Sequence, residues 1–128
     1  MTPTVVDTSV LIDVLRGSTA AVAWFTGLDE VPTCSEVTRV EVLQGVRAAE
    51  RAPTERLLQT MRWMPVDESV SRSAGDLGRR YRRSHQGIGV ADLIIAATCI
   101  ETGSRLATMN TRHFPMFEPL APPYLDVR

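Results

Sequence analysis

The feature that most limits the fold is a repeated alternation of short β-branched runs with longer helix-like stretches. Thr4-Val5-Val6 opens the chain as a strand and leads into Asp7; Val10, Leu11, Val14 and Leu15 then recur at helical spacing, with Gly17 suited to the C-terminal cap. Residues 19–28 read as a second helix. A short strand over 31–34 precedes a helix through Val37, Val40 and Leu43 to Gly45, and Ser35 is placed to cap it. A helix over 54–62, a strand over 63–66 and a long helix over 68–83 follow. Beyond the Gly87-Ile88-Gly89 loop come a strongly apolar helix over 91–101, a strand over 105–108 and a proline-rich tail. Strands alternating with helices predict a parallel sheet covered on both faces, an α/β fold. At 128 residues with no repeat, linker or low-complexity segment, the chain is expected to be a single domain over 1–128.

Composition removes several functional classes. All 14 basic residues are arginine, which excludes Schiff-base chemistry, a Walker-type phosphate lysine and a receiver-domain lysine. The net charge of −1 means that any nucleic-acid site must come from local clustering. Cys34 and Cys99 sit in apolar runs without metal-ligand spacing and read as buried free thiols of a reducing compartment. The N-terminus lacks the positive region of a signal peptide, and no stretch reaches the ~20 apolar residues of a membrane span. A soluble, cytoplasmic protein is expected. His85 and His113 fall in predicted loops, and there is no GxSxG or glycine-rich phosphate loop.

What remains is a set of acids in unusual places. Ligands of open parallel sheets bind beyond the carboxyl ends of the strands. Asp7 ends the first strand, Asn110 follows the last, Asp92 opens the apolar helix, and Glu41 interrupts an apolar helical run with Gly45 one turn later, where it leaves room. Each has a plainer alternative: Asp7 as a helix cap, Asp92 as a charge at a helix N-terminus, Glu41 as a solvated helix residue. Asp13, Asp29, Glu30, Glu50, Glu55 and Asp126 show no special context and read as solvated surface. Spacing alone does not bring residues 7, 41 and 92 together. If they meet, carboxylates without soft ligands favour a hard ion, Mg²⁺ or Mn²⁺, able to polarise a phosphate oxygen and lower the pKa of a bound water.

The segments VVDTSVLIDVLRG, RVEVLQG and GVADLIIAATCIETGSRLATMNTRHF, in this order and across almost the whole chain, resemble PIN-domain ribonucleases, in particular the VapC-type toxins of bacterial toxin–antitoxin pairs. The resemblance implies a Rossmann-like α/β/α sandwich with a central, mainly parallel sheet that cuts RNA with clustered acids and Mg²⁺ or Mn²⁺. By position it makes Asp7, Glu41 and Asp92 the metal-binding acids, with Ser9 and Thr108 as supporting hydroxyls. Many members carry a fourth acid after the last strand; here Asn110 stands in its place, which brings a carbonyl but no charge. The resemblance also implies a homodimer and a small VapB-like antitoxin partner. The apolar runs around Val10–Leu15 and Ala20–Phe25 suggest helices that bury more than one face, with Trp24 and Phe25 toward a partner.

For RNA, Arg79, Arg80, Arg82 and Arg83 project over an arc of roughly 160° of a helix, opposite Val70, Ala74, Leu77 and Tyr81. Arginine pairs bidentately with phosphate, so this face is a candidate RNA-steering patch; a solvated face is the alternative. Two other functions compete: a structure-selective DNA nuclease with the same chemistry, and a non-catalytic nucleic-acid-binding module, which Asn110 favours. A receiver-type phosphotransfer domain lacks its lysine and its paired acid.

Overall fold

The structure, a computed structural model, describes residues 2–125. Asp126, expected at the solvated surface, lies outside the described residues. Four strands, β1 (Thr4–Val6), β2 (Thr33–Ser35), β3 (Arg62–Met64) and β4 (Arg105–Ala107), form one sheet in the order β3-β2-β1-β4. Every pairing is parallel, with Val5 opposite Thr33 and Leu106, and Cys34 opposite Trp63. The helices are α1 (Thr8–Leu15), α2 (Thr19–Thr26), α3 (Glu36–Gln44), α4 (Arg51–Leu58), α5 (Glu68–Tyr81) and α6 (Val90–Thr102), with single 3₁₀ turns at Ala48–Glu50, Thr111–His113 and Pro115–Phe117.

The layering follows from the two-residue period of a strand. Val6 and Cys34 point into a cluster with Val10 and Leu11 of α1, Val42 of α3 and Leu58 of α4. Val5 and Leu106 point the other way, onto Ile95, Ala96 and Cys99 of α6 and onto Phe114. Helix α5 then backs α6 through Val70, Ala74, Leu93 and Ala97. The sheet is therefore covered on both faces, as the alternation predicts. Gly78 allows the close approach of α5 to α6: a Cβ there would come within 3.1 Å of Leu93 Cδ1. Gly17, with φ of 79°, ends α1 in the left-handed conformation that its sequence position suggests.

Several boundaries move. Helix α4 begins at Arg51 instead of residue 54, and Pro53 fits because the first helical turn needs no N–H there. It ends at Leu58, so β3 starts at Arg62. Ser35 closes β2 and caps α3, its Oγ accepting the Val37 N–H at 3.2 Å. Gly45 caps the end of α3 and makes no room for the acid, since its Cβ position would meet nothing closer than 4.0 Å. Both cysteines are buried, and burial pushes each thiol up to about 12, which removes them from nucleophilic chemistry. Among the described residues no helix is long and apolar enough to cross a membrane.

Candidate active site

The carboxyl ends of β1 and β4 lie side by side, and the site begins there. Asp7 takes the N-cap position of α1, with its backbone N–H donating to Ala107 O at 2.9 Å. Its side chain caps nothing. Instead Oδ2 accepts hydrogen bonds from Ser9 Oγ and Thr108 Oγ1, each at 2.7 Å. The carboxylate is almost fully buried, at 3% exposure, and Thr108 is completely so. The two hydroxyls are fixed in turn: Thr108 Oγ1 accepts the Asn110 N–H at 2.9 Å, and Ser9 Oγ the Met109 N–H at 3.2 Å. Ser9 and Thr108 are thus both bonded to the Asp7 carboxylate, and the plain helix-cap alternative for Asp7 does not hold.

Glu41 is half-buried on α3, and its Oε1 accepts from Thr8 Oγ1 at 2.7 Å. Asp92 enters from the first turn of α6. Its Oδ2 accepts the Gly89 N–H at 2.8 Å, so it does stabilise the helix start as its plainer alternative proposes, and it also lies 3.3 Å from His113 Nδ1. Burial holds the Asp92 carboxyl above the ordinary aspartate range; the Gly89 N–H and the His113 ring oppose that shift, while the Asp7 charge adds to it. Asn110 sits exposed at the N-cap of the Thr111–His113 turn, where its side chain makes no capping bond.

Asp7, Glu41, Asp92 and Asn110 all line one open cleft of about 580 Å³. Asp13 lines it too. Expected at the solvated surface, Asp13 is 9% exposed and accepts from Tyr124 Oη at 2.7 Å. Its signal was present: it is a lone acid among Leu11, Ile12, Val14 and Leu15, the same context that singles out Glu41. Thr8 and His113 are two further site residues that the sequence does not single out, because both act through contacts distant in sequence.

The cationic face lies elsewhere. Helix α5 ends at Tyr81, so Arg82 is its C-cap and Arg83 lies beyond it. Arg79, Arg82 and Arg83 border a separate groove between α5 and α6, over Val90, Leu93 and Ile94. Among the described residues, the basic residue that does line the acidic cleft is Arg16. Trp24 and Phe25, expected toward a partner, are half-buried against the core, with Trp24 packed on Tyr124 at a ring separation of 6.4 Å. His85 bonds to Ser84 and takes no part in the cleft.

A profile of the PIN domain matches residues 4–116. The chain belongs to the PIN-domain family. Over 121 residues this PIN-family chain is 47% identical to "Ribonuclease VapC10" of Mycobacterium tuberculosis, covering 93% of this chain and 91% of that protein. It is 44% identical over 122 residues to "Ribonuclease VapC19" of the same species, covering 93% and 98%. Its fold superimposes on a chain of a toxin–antitoxin complex from Klebsiella pneumoniae with a TM-score of 0.82 at 24% identity, over 94% of this chain and 98% of that one. The α/β/α sandwich implied by the sequence motifs is the fold of this PIN-family chain.

Proposed function

We propose that the chain is a metal-dependent endoribonuclease acting as the toxin of a toxin–antitoxin pair, with residues 1–128 forming one nuclease domain. The observation that carries this is the convergence of Asp7, Glu41 and Asp92 on one cleft, from three elements distant in sequence. The two curated relatives named as ribonucleases support RNA as the substrate. A small VapB-like antitoxin and a second copy of the chain are its partners in this assignment, and the cytoplasm its compartment.

The donors fit a hard divalent ion, Mg²⁺ or Mn²⁺. All are oxygens, and Asp7, Glu41 and Asp92 each use one carboxylate oxygen in hydrogen bonds and leave the other without a hydrogen-bond partner among the described residues. Among those residues no three acidic, histidine or cysteine side chains stand close enough to grip one ion directly. Mg²⁺ commonly takes one or two carboxylates and keeps several waters, a requirement this donor set meets. Asp7, Glu41 and Asp92 would hold the ion between them, one or two directly and the rest through its waters, with the Asn110 carbonyl as an uncharged donor at the rim. When bound, it supplies Lewis-acid polarisation of a phosphodiester oxygen and a water of lowered pKa. The chain's own residues perform the positioning: Ser9 and Thr108 fix the Asp7 carboxylate, Thr8 fixes that of Glu41, and the Gly89 N–H fixes that of Asp92. Arg16 offers the cleft a guanidinium for a substrate phosphate. Arg79, Arg80, Arg82 and Arg83 would meet the RNA backbone outside the cleft.

The test is cleavage of end-labelled RNA and DNA of equal sequence, with Mn²⁺ or with EDTA, by the natural chain and by Glu41→Gln. RNA cut only with Mn²⁺, and not by Glu41→Gln, is the expected result. Undiminished cutting in EDTA or by Glu41→Gln overturns the assignment, DNA cut in preference to RNA redirects it to a DNA nuclease, and no cutting at all leaves a binding module.

A further inference from the structure

Glu41 is anchored by something more than a single hydrogen bond. Thr8 Oγ1, 2.7 Å from Glu41 Oε1, is also 3.0 Å from Thr38 Oγ1. A hydroxyl has one proton, and an ionised carboxylate has none to give. Thr8 Oγ1 is placed to donate to both oxygens, but its single proton goes to the closer, charged Glu41, which leaves the proton of Thr38 for the contact between the two hydroxyls. Thr38 has no other side-chain hydrogen bond among the described residues, and it is wholly buried. Thr8 is itself 8% exposed, so water competes little for either hydroxyl. Thr38 and Glu41 lie three residues apart on α3, on one face, while Thr8 reaches them from the first turn of α1.

We propose that Thr38 and Thr8 form a two-hydroxyl relay that positions the Glu41 carboxylate, with Thr38 acting from outside the cleft as a positioning residue. The relay does two things. It stops the Thr8 hydroxyl from rotating away to another acceptor, and it polarises the Thr8 O–H toward the carboxylate, since a hydroxyl that accepts a hydrogen bond donates a stronger one. The consequence is one defined orientation of Glu41 with its charge retained, which leaves Oε2 for an external cation. Partners that orient ligands in this way typically contribute 10–100-fold to metal affinity or activity. The inference rests on the metal-dependent reading of the cleft, and its test is metal binding, which is read without RNA.

Mn²⁺ titration by calorimetry is compared for the natural chain, Thr38→Val and Thr38→Ser, with thermal melting in EDTA as the check on folding. Valine keeps the volume and removes the hydroxyl, whereas serine keeps the hydroxyl. The expected result is an Mn²⁺ affinity roughly tenfold weaker in Thr38→Val, the low end of that range because the residue acts through Thr8, and unchanged in Thr38→Ser. RNA cleavage by Thr38→Val then returns toward the natural rate as Mn²⁺ is raised. Natural affinity in Thr38→Val, or equal loss in both variants, overturns the proposal, the latter by assigning the effect to packing. If Thr38→Val does not fold, Thr8→Val and Thr8→Ser decide the matter by the same contrast. A natural chain that binds Mn²⁺ but cuts no RNA refutes the ribonuclease assignment and leaves the relay standing.

Discussion

Thr108→Val probes the energetics of the buried Asp7 carboxylate directly. Valine matches the shape of threonine, so the substitution removes a hydroxyl and leaves no cavity. That hydroxyl gives a 2.7 Å hydrogen bond to Asp7 Oδ2 and accepts the Asn110 N–H at 2.9 Å. A hydrogen bond to a charged group is worth about 1.5–3 kcal/mol, and the loss falls in the upper part of that range because Asp7 and Thr108 are both buried. The Asn110 amide belongs to an exposed residue and regains much of its loss from water. The expected cost is about 2–3 kcal/mol in EDTA, equivalent to roughly 8–12 °C in Tm for a domain of this size. Thr108→Ser keeps the hydroxyl, drops one buried methyl and should cost about 1 kcal/mol.

Urea unfolding at pH 7 with EDTA measures these costs, with m-values as the check on two-state behaviour. An Asp7→Asn background then isolates the charge. Bonds to neutral acceptors are worth about half as much, so Thr108→Val should cost about 1 kcal/mol less there. Thr108→Val within about 0.5 kcal/mol of the natural chain, well under the expected loss, would refute the reasoning. An equal cost in both backgrounds would place the penalty in packing.

Three further outcomes follow from the same geometry. Burial raises the Asp92 pKa in the folded state, so its contribution favours folding fully below the ordinary aspartate pKa and is lost as pH rises through the folded value. In EDTA, Asp92→Asn should therefore be more stable than the natural chain at pH 7, the advantage fading toward pH 3, and excess Mn²⁺ should reverse the order; superimposable stability–pH curves would contradict this. Replacing Arg80 and Arg83 with Gln should flatten the dependence of RNA affinity on salt by roughly two phosphate contacts, against no change if they form a solvated face. Asn110→Asp should tighten Mn²⁺ binding by adding a charge at the cleft, and an unmoved calorimetric affinity removes Asn110 from the site.

The fold was legible because its signals are local. Three-residue β-branched strands and helices with apolar periodicity declare themselves within a few residues, and Ser35 and Gly17 mark helix ends by their own chemistry. The polar residues at the strand ends were legible for a similar reason: an open parallel sheet presents its strand termini to one cleft, so Asp7 and Asn110 had to lie near it. Less legible were interactions joining residues far apart in the chain. Thr8 and Glu41 are 33 residues apart and Thr108 and Asp7 are 101 apart, and no periodicity connects them. The arginine face was legible only in part. Its helical projection was sound, but a projection gives a face and not what the face overlooks, and here three of its arginines border the α5–α6 groove.

The way the acids are held bears on what they hold. Ion pairs between side chains occur on this protein's surface, as between Glu36 and Arg39 and between Glu68 and Arg72. Neither involves the acids of the cleft. Arg16 lines the cleft with Asp7, Asp13, Glu41 and Asp92, yet it makes no ion pair among the described residues. Asp7 is secured by two hydroxyls, Glu41 by one, and Asp92 by a backbone N–H with a histidine beside it. An arginine would fix a carboxylate as firmly and would also cancel its charge. Neutral donors orient without cancelling, so repulsion between the acids persists, as the influence of Asp7 on Asp92 shows. Keeping several unneutralised carboxylates at low exposure costs stability unless something binds them. A divalent cation recovers that cost as binding energy. The hydroxyl-for-arginine choice is thus what suits the cleft to the proposed cation instead of to a buried salt-bridge network.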